Sequence, residues 1–252
     1  MIEIFILSIV QGITEFLPIS SSSHLILASE YLNLKNQSLS IDVSLHIGSF
    51  IAVMLYFYRD ILNFYENKDL FFKIFISSIP VMIIGYFLVK TGGIDKIRNL
   101  ETIAWTTIIF GILLFISDKF KMRKDIKENF SIRSAIFIGL FQILSLFPGV
   151  SRSGIAITAA RFLNFKRTES AKISFLISIP ILGAVSGYGF LNILFSKDAS
   201  FAQINLIAIF FSFVFSFLTI KYFLKFLKKF SLNIFVIYRI LLGLLLLKLA
   251  YL

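Results

Sequence analysis

Glu15, His24 and Arg152 are ionisable groups set among hydroxyls in two short polar islands of an otherwise oily chain. The first island is Gln11-Gly-Ile-Thr-Glu15-Phe-Leu-Pro18-Ile-Ser20-Ser21-Ser22-Ser23-His24. The second is Gln142-Ile-Leu-Ser145-Leu-Phe-Pro148-Gly149-Val-Ser151-Arg152-Ser153-Gly154. Gln11 and Glu15 are four residues apart, so they share one helix face. A buried carboxylate there needs a cation, a metal or a proton. The serines at 20–23 offer hydroxyls beside His24, hence a nucleophile next to a proton-transfer group. In the second island Gly149 and Gly154 bracket Ser151-Arg152-Ser153, and glycine lets backbone approach a ligand closely. Arginine presents a planar fork suited to phosphate. A helix starting after Ser153 would add N–H groups aimed at an anion. Carboxylate, hydroxyls, imidazole, guanidinium and a glycine turn are together the parts of a phosphate-handling site.

Blander roles compete for each residue. Serines after a proline commonly cap helices. A lone histidine beside a membrane helix is often a structural hydrogen-bonder, and His46 is read that way. Arg152 and Glu15 would form a plain ion pair, while Arg161 and Arg239 read as interfacial or packing residues. The joint occurrence of these groups at two similar breaks raises the islands above these readings.

The surroundings are membrane-like. Hydrophobic residues make up 58% of the 252 residues and charged residues 15%, with a mean hydropathy of +0.89. A soluble domain would carry about a quarter charged residues. Polar clusters at membrane depth are costly and therefore functional by default. The absence of cysteine excludes disulfides, thiolate catalysis and Cys-ligated metals. The net charge of +11 fits loops facing anionic lipid better than a nucleic-acid partner. The N-terminal residues 1–10 lack a basic n-region and a small-residue cleavage site, so they are expected to be retained.

Apolar stretches run near 2–17, 24–34, 41–58, 70–89, 102–117, 132–147, 155–164, 171–195, 203–226 and 233–252. Those at 24–34 and 155–164 are too short to cross a hydrocarbon core of about 30 Å. Each island therefore reads as the tip of a re-entrant helix–loop–helix. The expected fold is all-α and polytopic, one membrane domain over 1–252 with repeat halves near 1–118 and 131–252. Each half has one re-entrant hairpin and three transmembrane helices. Three crossings are odd, so the halves are expected to be inverted. About sixteen lysines and arginines, including six between 119 and 133, then fall on one side. Six fall on the other, at Lys35, Lys90, Lys96, Arg98, Lys197 and Lys248. The richer side is expected to be cytoplasmic, with both termini outside.

The string Glu15 to His24, the Gln11–Glu15 spacing and Pro148-Gly-Val-Ser-Arg-Ser-Gly154 resemble the two signature motifs of the undecaprenyl-diphosphate phosphatase family. These are membrane enzymes linked to bacitracin resistance. Asp42-Val-Ser-Leu-His-Ile-Gly48 and Ile237-Tyr238-Arg239 are similar as well, and the likeness covers the whole chain in length and motif order. The resemblance implies hydrolysis of undecaprenyl diphosphate to undecaprenyl phosphate, the lipid carrier for cell-wall precursors. It implies a divalent metal, Mg²⁺ or Ca²⁺, and a bacterial inner membrane with the site opening to the outer face. Carried over by position, Glu15 matches the essential acid and a metal-holding residue. Ser21 matches the serine assigned as nucleophile or positioning group, and His24 the motif histidine. Gln11, Ser20, Ser151, Arg152, Ser153 and Gly154 match the substrate-binding positions. Gln11 stands where many members have Glu, which removes one acidic metal ligand. Ser23 stands where Gly or Ala is common.

The expected partners are a polyprenyl diphosphate, membrane lipids and optionally a second copy of the chain. The attacking group is left open among Ser21, His24 and water. The rival class is a transporter or flippase for a phosphorylated lipid or solute, because inverted repeats with broken helices also build transporters.

Overall fold

A computed structural model describes residues 2–32, 39–63, 66–93, 97–194 and 199–252. Lys35, Lys96 and Lys197, assigned above to the less basic side, lie outside the described residues. The first group of helices is α1 (Ile2–Thr14), α2 (Ser21–Leu32), α3 (Leu39–Tyr56), α4 (Tyr58–Leu62), α5 (Lys68–Lys90) and α6 (Leu100–Asp118). The second is α7 (Ile126–Asn129), α8 (Ile132–Gln142), α9 (Arg152–Phe162), α10 (Arg167–Leu194), α11 (Ala199–Leu227) and α12 (Asn233–Tyr251). A 3₁₀ turn, Ile143–Leu146, ends α8.

Among the described residues, five helical segments are long and apolar enough to cross a membrane: Lys68–Lys90, Leu100–Asp118, Arg167–Gly187, Ala202–Leu227 and Asn233–Tyr251. The protein is a multi-pass membrane protein of helices, as the composition requires. The helix α3, where a further crossing is expected, carries Asp42, Ser44, His46 and Ser49 and is among the shorter apolar helices. The islands sit where helices are short. Thirteen residues of α1 lead into the first and twelve of α2 leave it. Eleven residues each of α8 and α9 flank the second.

Local sequence explains the starts of these helices. Asn99 accepts from Thr102 N at 2.8 Å to cap α6, and Ser131 accepts from Ser134 N at 3.2 Å to cap α8. Serine capping is also realised at Ser151, whose hydroxyl accepts from Gly154 N at 3.1 Å. The second short helix begins at Ser21 rather than His24, so the serine run is its first turn.

The packing pairs one half with the other. Helix α3 lies on α10 and α11, while α10 also packs on α5. Helix α1 packs on α11, α8 on α5, and α6 on α12. Gly12 and Gly139 permit two of these approaches. A Cβ on Gly12 would stand 2.5 Å from Phe215 Cβ, and one on Gly139 would stand 2.6 Å from the Ser77 carbonyl. Much of the shared interior is Phe, Ile and Ala, including Phe16, Phe57, Phe165 and Phe175.

The basic loops meet at one end. Lys172 pairs with Asp60 at 3.1 Å, and Lys166 with Asp125 at 2.8 Å. Arg167 grips Asp118 through two hydrogen bonds of 2.7 and 2.9 Å, and Leu232 N donates to the same carboxylate at 3.2 Å. Arg161, fully buried, donates to the carbonyls of Asp118, Phe120, Lys121 and Phe165. It is a packing residue, and it organises this end of the molecule.

Candidate active site

The two islands have the same local construction. Ser20 and Ser151, the residues just before α2 and α9, both take φ of +71°. Such a conformation costs a non-glycine residue about 1–3 kcal/mol and persists only where the surroundings impose it. Ser20 Oγ approaches Ser22 Oγ at 3.5 Å, and Ser151 Oγ approaches Ser153 Oγ at 3.2 Å. Both helices therefore start at an island, with their N-terminal amides at the polar tip.

The islands touch. Arg152 Nη2 donates to Glu15 Oε1 at 2.9 Å across 137 residues of sequence. Ser153 Oγ donates to the Leu17 carbonyl at 2.7 Å. Both partners of the ion pair are largely buried, with side-chain exposures of 14% for Arg152 and 5% for Glu15. Glu15 also accepts Ser21 Oγ at 2.7 Å and Gln11 Nε2 at 3.0 Å, both through Oε2. The carboxylate thus gathers three of the expected site residues around itself: Arg152, Ser21 and Gln11. Two polar atoms are left over: Arg152 Nη1 and Gln11 Oε1 are buried with no protein partner. An orphaned donor and an orphaned acceptor beside one carboxylate are costly unless a ligand completes them.

His24 lies at the same island but engages elsewhere. Its Nδ1 is 2.6 Å from the Ser20 carbonyl, and its Nε2 is 2.6 Å from the Tyr238 hydroxyl. His46, read as structural, bonds through Nδ1 to the Asp42 carbonyl at 2.7 Å in its own helix. The glycines serve the protein's own packing. A Cβ on Gly149, at φ +91°, would stand 2.1 Å from Thr106 Oγ1. A Cβ on Gly154 would stand 3.2 Å from Arg239 Nη1.

Of the two readings for Arg239, interfacial or packing, the structure bears out the second, since only 1% of it is exposed. Its guanidinium donates to Pro18 O at 3.1 Å, Val150 O at 3.0 Å and Gly149 O at 2.9 Å, and its Nε to Thr107 O at 3.2 Å. One side chain on α12 therefore holds the backbone of both tips. Its partners are main-chain carbonyls, which leave no mark in the sequence. The available signal was a cation inside the apolar stretch 233–252, which is costly at that depth unless it is held.

The family model described as bacitracin resistance protein BacA matches residues 4–245. The chain is 49% identical to a protein named undecaprenyl-diphosphatase from Pelagibacter ubique, over 99% of this chain and 98% of that one. Proteins of the same name from Jannaschia sp. and Alteromonas mediterranea are 40% and 41% identical. They cover 98% and 96% of this chain, and 98% and 95% of their own lengths.

Proposed function

Since this chain belongs to the bacitracin resistance protein BacA family, we propose that it hydrolyses undecaprenyl diphosphate to undecaprenyl phosphate and inorganic phosphate. The relatives carry the name of that phosphatase, which does not favour the transporter alternative. The observation that carries the reading to particular residues is the Glu15–Arg152 contact, with Arg152 Nη1 left unpartnered beside it.

The chemistry is positioning and charge neutralisation around a phosphoryl group. Arg152 binds the diphosphate through its unpaired nitrogen, and the N-terminal amides of α2 and α9 add partial positive charge. Ser151, Ser153 and Gly154 shape the second tip, and Gln11 and Ser20 the first. The diphosphate takes Arg152 Nη1 while Nη2 keeps its bond to Glu15 Oε1, which leaves Oε2 facing Ser21. Ser21 is then the attacking group this geometry favours, because its hydroxyl already donates to Glu15 at 2.7 Å. Glu15 takes the Ser21 proton as Oγ bonds to the terminal phosphorus and the bridging P–O bond breaks. Undecaprenyl phosphate leaves, and water then releases inorganic phosphate from Ser21. His24 orients the island rather than contacting Ser21, since both of its nitrogens are engaged elsewhere.

A divalent cation fits this site in a limited way. Among the described residues no group of three or more His, Cys, Asp or Glu gathers as a metal cage. Glu15 and the orphaned Gln11 Oε1 offer two hard oxygens, suited to Mg²⁺ or Ca²⁺ that takes its remaining ligands from phosphate and water. Such an ion would neutralise charge on the diphosphate.

The two halves are read as an inverted repeat, near 1–118 and 131–252, each with one re-entrant hairpin. The reciprocal pairing of α3 with α11 and of α10 with α5 supports this arrangement. The basic loops face the cytoplasm of a bacterial inner membrane, and the site opens to the outer face. The deciding assay is phosphate release from undecaprenyl diphosphate by the detergent-purified protein. The reading predicts stoichiometric phosphate and lipid monophosphate. Movement of intact substrate across vesicles without phosphate release would overturn it in favour of a transporter.

A further inference from the structure

The ring of His24 is held at both nitrogens, and the second holder is a residue outside either island. A carbonyl oxygen only accepts, so the 2.6 Å contact with Ser20 O requires the proton on Nδ1. The neutral ring then presents a lone pair at Nε2, and the Tyr238 hydroxyl, 2.6 Å away, donates to it. The two rings lie nearly parallel, with centroids 5.7 Å apart and planes inclined by 15°. Tyr238 comes from α12, 214 residues away in sequence, and is 41% exposed. The next residue on that helix, Arg239, ties Pro18 to Gly149 and Val150. Adjacent residues of α12 thus fix the two parts of the site that the islands do not fix themselves: the imidazole and the tip backbones.

We propose that Tyr238 is a positioning residue of the reaction, which fixes the plane of the His24 imidazole and, through its Nδ1–H, the Ser20 carbonyl at the turn into α2. This inference rests on the phosphatase reading for its kinetic consequence, but its structural part stands without it. Ser20 alone leaves the ring free to turn about that one contact. The Tyr238 hydroxyl supplies the second contact and defines the ring plane.

The test is Tyr238→Phe, which deletes the hydroxyl and keeps the stacked ring. The chain has only two histidines, so ¹⁵N-histidine labelling gives two imidazoles, and His46→Gln assigns them. In the parent protein His24 should show the Nδ1–H tautomer. In Tyr238→Phe Nδ1 should stay protonated while the Nε2 resonance moves to that of a nitrogen without a hydrogen bond, with an unchanged melting temperature. With undecaprenyl diphosphate as substrate, kcat should fall about tenfold, the scale of one lost hydrogen bond, while KM stays within about twofold. An unchanged Nε2 resonance, or an unchanged kcat, would overturn the proposal. So would a loss of activity that merely follows a lowered melting temperature. If the parent protein released no phosphate, the function reading would fail, and the Nε2 resonance alone would still decide whether Tyr238 holds His24.

Discussion

Glu15 is the residue on which the site turns. It receives Arg152, Ser21 and Gln11 at once. Removing one partner of a buried ion pair leaves the other charge uncompensated, which typically costs about 3–5 kcal/mol. Glu15→Gln should therefore nearly abolish turnover, and phosphate release under saturating Mg²⁺ measures this; near-native rates there would remove Glu15 from the chemistry. Gln11→Glu should preserve activity or alter its metal dependence, read as the Mg²⁺ concentration for half-maximal rate. Arg152→Lys keeps the charge but loses the planar fork that serves Glu15 and a phosphate together. Turnover should drop by at least about tenfold with the fold intact; an unimpaired variant would mean that Arg152 does not grip the diphosphate. This much was legible in the sequence, because the residues that meet are ionisable groups at two matching breaks. The Arg239 clamp was not, since it binds carbonyls that every residue has. The Tyr238 contact with His24 was equally hidden, because it spans two distant segments.

At the scale of elements, short helices and tight turns set the tips. Pro148-Gly149 turns against α6, where Thr106 Oγ1 donates to the Pro148 carbonyl at 2.5 Å. Gly149 occupies a left-handed conformation with no space for a side chain. Gly149→Ala should destabilise the protein by about 1–3 kcal/mol or more, from strain and the clash with Thr106. It should also lower kcat by displacing Arg152. Thermal melting and phosphate release read the two effects, and a variant that melts and turns over normally would show that the tip tolerates another conformation. The start of α2 at Ser21 was obscured by the serine run, since any of four serines suits a helix N-terminus. The positive φ at Ser20 and Ser151 was likewise invisible, because serine rarely adopts it without tertiary constraint.

For the whole molecule, apolar content and the short stretches beside each island made a helical multi-pass protein legible. The packing of one half against the other was not, because Gly12 against Phe215 and Gly139 against Ser77 are matches of shape. Membrane sidedness gives a separate prediction. The chain contains no cysteine, so single cysteines report cleanly. A cysteine at Asn129 should resist an impermeant thiol reagent on intact spheroplasts, and one added after Leu252 should react. Labelling of position 129 from outside would reverse the assigned orientation.

The central claim is that the two islands act as one catalytic unit, and a double-mutant cycle in kcat between Glu15→Gln and Arg152→Lys tests it most directly. Residues that act as a unit are strongly non-additive. The double variant should be about as slow as the worse single variant, with undecaprenyl diphosphate as substrate. Losses that multiply as independent factors would contradict a shared site built from Glu15 and Arg152.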